Sequence, residues 1–279
     1  MSAPQTMVAA YNAAGCFLGR HAEMNRLREA IRKRESVLIW GAPDAGKTAL
    51  LSKVLSELPE KVARRCLCAS GHGSPQEILR GILEKFEDAD SPLLRRKFRA
   101  ETGYGESFVH WTKQQTSLRL RGLLYKAAAE ADYWIFLEDV APLTHILARI
   151  VKALMWNCKT PVYLVAPGWT YTEVGHAATL YWTDRHRLHV GGLPLPAAKE
   201  LLETCIRRFA LSQFDLEGFR EDILEFSGLL PGTIVQMCAA AVNSNYHYEG
   251  RIKTKLLHVD YLMNHCESLP ASSTRKRNF

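Results

Sequence analysis

A chain of 279 residues, 47% hydrophobic and 23% charged, has the composition of a globular fold. Disordered, collagen-like and coiled-coil classes are excluded, leaving one large α/β domain or a core with a small partner domain. Its 36 basic residues exceed the 29 acidic ones for a net charge of +7, a modest excess compatible with an acidic partner such as nucleic acid.

Residues 1–16 are expected to be an N-terminal arm: 1–15 are Ala-rich and uncharged and lack the basic flank and continuous apolar stretch of a secretory signal. Met24, Leu27, Ala30 and Ile31 recur at helical spacing and predict a helix over 20–34. The run 36–40, apolar without alternation and ended by Gly41, reads as a strand buried on both faces. A helix over 49–58, a strand within 61–70, and helices over 77–86 and 118–131 follow, the last two separated by a stretch around Gly103 and Gly105. Next come a strand over 133–137, a helix over 143–157, a strand over 162–166 bounded by Pro161 and Pro167, and a short strand over 187–190. Strands alternating with helices imply a doubly wound parallel sheet. After Gly191-Gly192 the texture changes, and 197–210, 218–226 and 233–241 read as helices with no strand between them.

The expected organisation is an arm at 1–16, an α/β core at 17–192, a small all-helical lid at 193–268 and a basic tail at 269–279. No apolar run reaches the roughly 18 residues that cross a bilayer, so a cytoplasmic location without a membrane partner is expected. Seven cysteines are an odd number, against a fully paired disulfide framework. Cys66 and Cys68 form a C-x-C without the second pair that tetrahedral zinc needs.

One octapeptide carries chemistry. Gly41-Ala42-Pro43-Asp44-Ala45-Gly46-Lys47-Thr48 fits G-x-x-x-x-G-K-[ST] without a mismatch. It follows a buried strand and opens a helix, so loop amides and the positive helix end converge where phosphate oxygens can sit. Gly46 allows close backbone approach, Lys47 reaches the β and γ phosphates of ATP, and Thr48 offers a hydroxyl to Mg²⁺. Gly41, Ala42, Asp44, Ala45 and Ala49 complete the candidate nucleotide contacts. Asp44 is anomalous, because an inward carboxylate would repel the ligand, and its side chain is expected to face solvent. A phosphate-transferring site of this type needs a carboxylate at the end of another strand, and Glu138-Asp139 closes the strand over 133–137. Glu138 is the candidate magnesium-side acid, acting through water, and Asp139 the candidate base. Hydrolysing P-loop enzymes usually carry Asp before Glu; the reversed order here gives the base a shorter reach and predicts slow turnover.

Phe17-Leu18-Gly19-Arg20 with Glu23 and Leu27 resembles the F-[VL]-G-R-x-x-E-x-x-x-L motif that precedes the P-loop in AAA+ ATPases of the origin-recognition type and in STAND signalling ATPases. Residues 193–210 are similar to the start of their helical lid, and Ser227 to Ile234 to a Pro-containing lid turn. The resemblance covers about residues 17–245 and implies a P-loop core plus lid with Mg-ATP between them, Phe17 and Leu18 near the adenine and Pro231 approaching it from the lid. It also implies an arginine acting on a neighbouring subunit, for which Arg185 and Arg187 are the candidates. Two positions depart from the family pattern. Only Thr170 could replace the polar sensor after the strand over 162–166, and Gly232-Thr233 stands where many AAA+ proteins carry a sensor arginine. Both favour a nucleotide-gated switch or slow ATPase over a fast motor.

The leading reading is an ATPase whose ATP or ADP state controls homo-oligomer assembly or a protein partner. Nucleic acid is a further candidate partner, suggested by Arg95-Arg96-Lys97, Arg99 and the basic tail. Two other classes compete. One is an ATP-holding module without turnover; the other is a small-molecule kinase, closed by Arg207 and Arg208, in which the Phe17–Arg20 motif has no role.

Overall fold

The structure, a computed structural model, describes residues 17–102, 106–130, 132–140 and 142–265. The expected arm, Gly103, Gly105 and the basic tail lie outside these. Helix α1 (His21–Lys33) turns Met24, Leu27, Ala30 and Ile31 inward, the stripe its spacing predicts. It leads into β1 (Val37–Gly41), and α2 (Lys47–Ser56) and the short α3 (Glu60–Ala63) precede β2 (Cys66–Ser70). Helix α4 (Pro75–Asp88) starts from a complete capping box between Ser74 and Glu77, with Pro75 in its first turn.

Two helices flank the stretch around Gly103 and Gly105, to which the sequence pattern assigns no element: α5 (Pro92–Thr102) and α6 (Phe108–Gln114). Helix α5 buries only Leu94, so it shows almost no apolar period. What holds it is aromatic: Phe98 meets Phe108 at 5.5 Å and Trp111 at 5.6 Å. Helix α7 (Ser117–Glu130) then leads to β3 (Trp134–Glu138), α8 (His145–Trp156), β4 (Val162–Pro167), the short α9 (Ala177–Leu180) and β5 (Arg187–His189).

The five strands pair in parallel in the order β2-β3-β4-β1-β5. Register aligns their carboxyl ends: Gly41 lies opposite Pro167, and Ser70 opposite Glu138. The chain leaves β1 toward one side and returns from β4 to the other, making β1 the switch strand, and open sheets of this kind take ligands at the carboxyl ends beside such a strand. The expected α/β fold class is thus the observed one.

The chain divides into two compact units. The sheet unit comprises residues 21–42 and 50–190; its core runs through Leu38, Ile82, Phe86, Leu124, Leu137 and Leu164. The second unit gathers residues 191–265 together with 17–20 and 43–49, so the tip of the phosphate-loop sequence and the motif before α1 group with the C-terminal helices rather than with the core assigned to 17–192. In it α10 (Leu195–Arg208), α11 (Phe219–Phe226), α12 (Pro231–Ala240) and α13 (Thr254–His265) surround Leu201, Leu202, Ile223, Ile234 and Met237.

The C-terminal unit is helical as expected, with one small addition. A hairpin of β6 (His247–Tyr248) and β7 (Arg251–Ile252) sits before α13. Its loop residues Glu249 and Gly250 both have positive φ, 48° and 76°, as a tight two-residue hairpin demands. Among the described residues no helix is long and apolar enough to cross a membrane.

Candidate functional site

Strand β1 places Gly41 at the carboxyl edge of the sheet, where its carbonyl accepts from the Gly168 amide at 2.9 Å. Only glycine fits there: a Cβ would lie 2.0 Å from the Val190 carbonyl oxygen. Six residues later α2 opens with Lys47 and Thr48, and its first turn contains no acidic residue. The leading amides of a helix have no intrahelical acceptor and carry the positive end of its dipole. An anion is the complement of such an end. Lys47 is buried and Thr48 half-buried.

Arg20, also buried, donates to the Ala45 carbonyl at 3.1 Å and to the Gly191 carbonyl. The arginine of the motif before α1 therefore fixes the far side of the phosphate-loop backbone, a role sequence spacing did not reveal. Leu18 packs on the core of the C-terminal helices, and Phe17 is half-buried. Pro231, the first residue of α12, lies against the loop, its Cγ 3.4 Å from the position of a Cβ on Gly46.

Asp44 does not face solvent as expected. Its carboxylate Oδ2 accepts from the Tyr261 hydroxyl and from Gln236 Nε2, each at 3.1 Å, and its carbonyl accepts from the Gly232 amide at 2.9 Å. The physical reason is local: at φ 61° the residue occupies the left-handed region, which Asp tolerates. There half-buried donors on α12 and α13 compete successfully with water. Nothing in the sequence marks Gln236 or Tyr261 as partners, because they lie some two hundred positions away.

On the sheet unit, Glu138 ends β3 half-buried at the same carboxyl edge as Gly41, one strand removed across β4. Burial, and after it the Glu138 carboxylate, push the Cys68 thiol up to about 11. Burial, and after it Cys68, push the Cys66 thiol up to about 12; both thiols are half-buried. Asp139 is exposed, with φ 53°, at the turn that sends the chain over β4, where the Val140 amide donates to the Val165 carbonyl at 2.9 Å.

Arg185 and Arg187 precede and open β5, and each is held within the sheet unit. Arg185 forms a two-point pair with Glu35. Arg187 donates to the Tyr181 and Trp182 carbonyls, both at 2.6 Å, and lies 4.0 Å over the Tyr171 ring. Thr170 is exposed and donates to Glu173 at 3.0 Å. Among the described residues no group of three or more His, Cys, Asp or Glu side chains could hold a metal ion by itself.

No protein-family profile matches the chain, and no curated protein is similar to it in sequence. Solved structures are similar in fold. A Walker-type ATPase of Pyrococcus abyssi superposes with a TM-score of 0.55 at 17% identity, covering 90% of this chain and 75% of that one. The Orc1 protein of Aeropyrum pernix, solved in complex with DNA, superposes with a TM-score of 0.55 at 15% identity, covering 91% and 70%. The chain has the fold of the AAA+ P-loop ATPases.

Proposed function

We propose that the chain binds Mg-ATP at residues 41–49 and hydrolyses it slowly, its nucleotide state controlling oligomer assembly or a partner. One observation carries the reading: a complete phosphate-loop sequence stands between the switch strand of a parallel sheet and a helix whose first turn has no carboxylate. The amides opening α2 and the Lys47 ammonium provide the positive charge that a triphosphate needs. The Thr48 hydroxyl, and Glu138 through water, would hold Mg²⁺; when bound, the ion neutralises charge on the phosphate oxygens. Phe17, Leu18 and Pro231 would contact the base. Asp139 is the group to accept a proton from water, and its exposed position suits slow turnover.

Of the two candidate trans-acting arginines, Arg185 is the better placed to reach a neighbouring copy, its side chain being 66% exposed. To do so it must leave Glu35. DNA is the first polyanion to test, because the Orc1 neighbour was solved with DNA and α5 presents Arg95, Arg96, Lys97 and Arg99 on its exposed face.

Phosphate release from ATP, followed on purified chain with and without Mg²⁺, tests the reading. Lys47→Ala is expected to abolish it, and Asp139→Asn to reduce it at least tenfold while sparing binding. Turnover unchanged in Asp139→Asn would misplace the base. ATP binding without phosphate release in the wild-type chain would make it a non-hydrolysing switch.

A further inference from the structure

We infer that Asp44 makes the phosphate-binding loop answerable to helices α12 and α13. Tyr261 and Gln236 hold its carboxylate away from the bound phosphates, so the loop's affinity for nucleotide depends on that restraint. This deepens the nucleotide reading of the loop and rests on it.

A carboxylate inside an eight-residue segment that reads as a phosphate cradle is electrostatically adverse, because like charges a few ångströms apart repel strongly where water is sparse. The backbone does not require it. Position 44 has φ 61°, a conformation that Gly or Asn would adopt without the charge. The cost is met by a specific arrangement. Oδ2 takes two hydrogen bonds, from Tyr261 and Gln236, each at 3.1 Å, and the Tyr261 hydroxyl is itself 3.1 Å from Thr233 Oγ1.

The backbone joins in through the bond from the Gly232 amide to the Asp44 carbonyl at 2.9 Å. Gly232 is shaped for the contact: a Cβ there would lie 2.7 Å from the Asp44 Cβ. Burial pushes the Tyr261 phenol up to about 12, so the phenol remains a donor at neutral pH. Two donors, one from each helix, thus converge on the Asp44 carboxylate, with Gly232 on its carbonyl and Thr233 on Tyr261, and α13 becomes the segment through which a change in the C-terminal unit reaches the nucleotide. Withdrawing the two donors frees the carboxylate to turn on the phosphates and weakens their binding.

The test is calorimetric binding of ATP, ADP and AMP, with Mg²⁺, to the full chain. Tyr261→Phe with Gln236→Leu is expected to weaken ATP binding about tenfold, ADP less, and AMP least, because the loss follows ligand charge. Tyr261→Phe alone, which keeps the ring and its packing, is expected to show the same order with a smaller loss. Adding Asp44→Asn, which removes the charge and tolerates the left-handed backbone, to the double variant should then restore ATP binding to within about twofold of wild type. A merely structural latch would not recover when its last member is removed, nor sort the three nucleotides by charge. The inference is overturned if the double variant binds ATP as wild type does, or if the triple variant stays as weak as the double. Wild-type chain that binds no ATP sinks the nucleotide reading itself, and this inference with it.

Discussion

Tyr163 and Tyr181 are both fully buried in the sheet unit, yet their hydroxyls stand in different positions. Tyr181 donates to the Val162 carbonyl at 2.9 Å, whereas the Tyr163 hydroxyl finds no partner among the described residues. A bonded buried hydroxyl contributes on the order of 1 kcal/mol, while an orphaned one costs its desolvation. Tyr181→Phe is therefore expected to lower stability by about 1 kcal/mol, and Tyr163→Phe, which keeps the ring stacked on Phe136 at 4.4 Å, to leave it unchanged or raise it. Urea denaturation of the two variants decides this, and a loss on Tyr163→Phe would mean that its hydroxyl is satisfied. The same contrast governs what could be read at residue level. The place of Lys47 and Thr48 at the opening of α2 was legible because a local octapeptide sets it. Asp44 was not, because the environment of its carboxylate is set by Gln236 and Tyr261, far along the chain.

At the scale of elements, Glu35 follows α1 and is paired with Arg185 ahead of β5, joining two segments 150 positions apart. The hydrogen bond from Arg185, and then its charge, hold the Glu35 carboxyl below the usual carboxylate range against the opposing effect of burial. The folded value lies below the unfolded one, so the pair's contribution is present above the unfolded value and is lost as pH falls through the folded one. Stability should therefore decline below about pH 4.5, and Arg185→Ala should make that decline shallower in acid denaturation; an unchanged slope would mean the pair contributes nothing.

Elements with a clean period were legible, among them α1, the buried runs of β1, β3 and β4, and the helices of the C-terminal unit up to α12. Those lacking one were not. Helix α5 is stabilised through Phe98 rather than through an apolar stripe, and the hairpin before α13 is two residues per strand, too short for alternation to register. The capping box at Ser74 and Glu77 was a readable signal for the start of α4, two residues ahead of the expected helix at 77.

For the whole molecule, the parallel sheet and the C-terminal helices follow from alternation and from the change of texture after Gly192. The grouping of residues 43–49 with the C-terminal unit does not, because it depends on tertiary contacts of Asp44 and Arg20. Function is legible only as far as the phosphate loop reaches; no comparable motif identifies a partner. If duplex DNA is that partner, phosphate contacts dominate, and binding should weaken at least tenfold between about 50 and 200 mM salt. DNA retention insensitive to salt, or unchanged when Arg95, Arg96, Lys97 and Arg99 are replaced by alanine, would remove the charge argument. Light scattering in ADP, ATP and a non-hydrolysable analogue is expected to show growth with the triphosphates alone.

The central claim is that the loop at residues 41–49 binds ATP, and titration of Mg-ATP into the folded wild-type chain and into Lys47→Ala tests it most directly. The account predicts one saturable site per chain in wild type and at least a tenfold loss of affinity in the variant. A folded wild-type chain that shows no saturable binding, or a Lys47→Ala chain that binds as tightly as wild type, would contradict it.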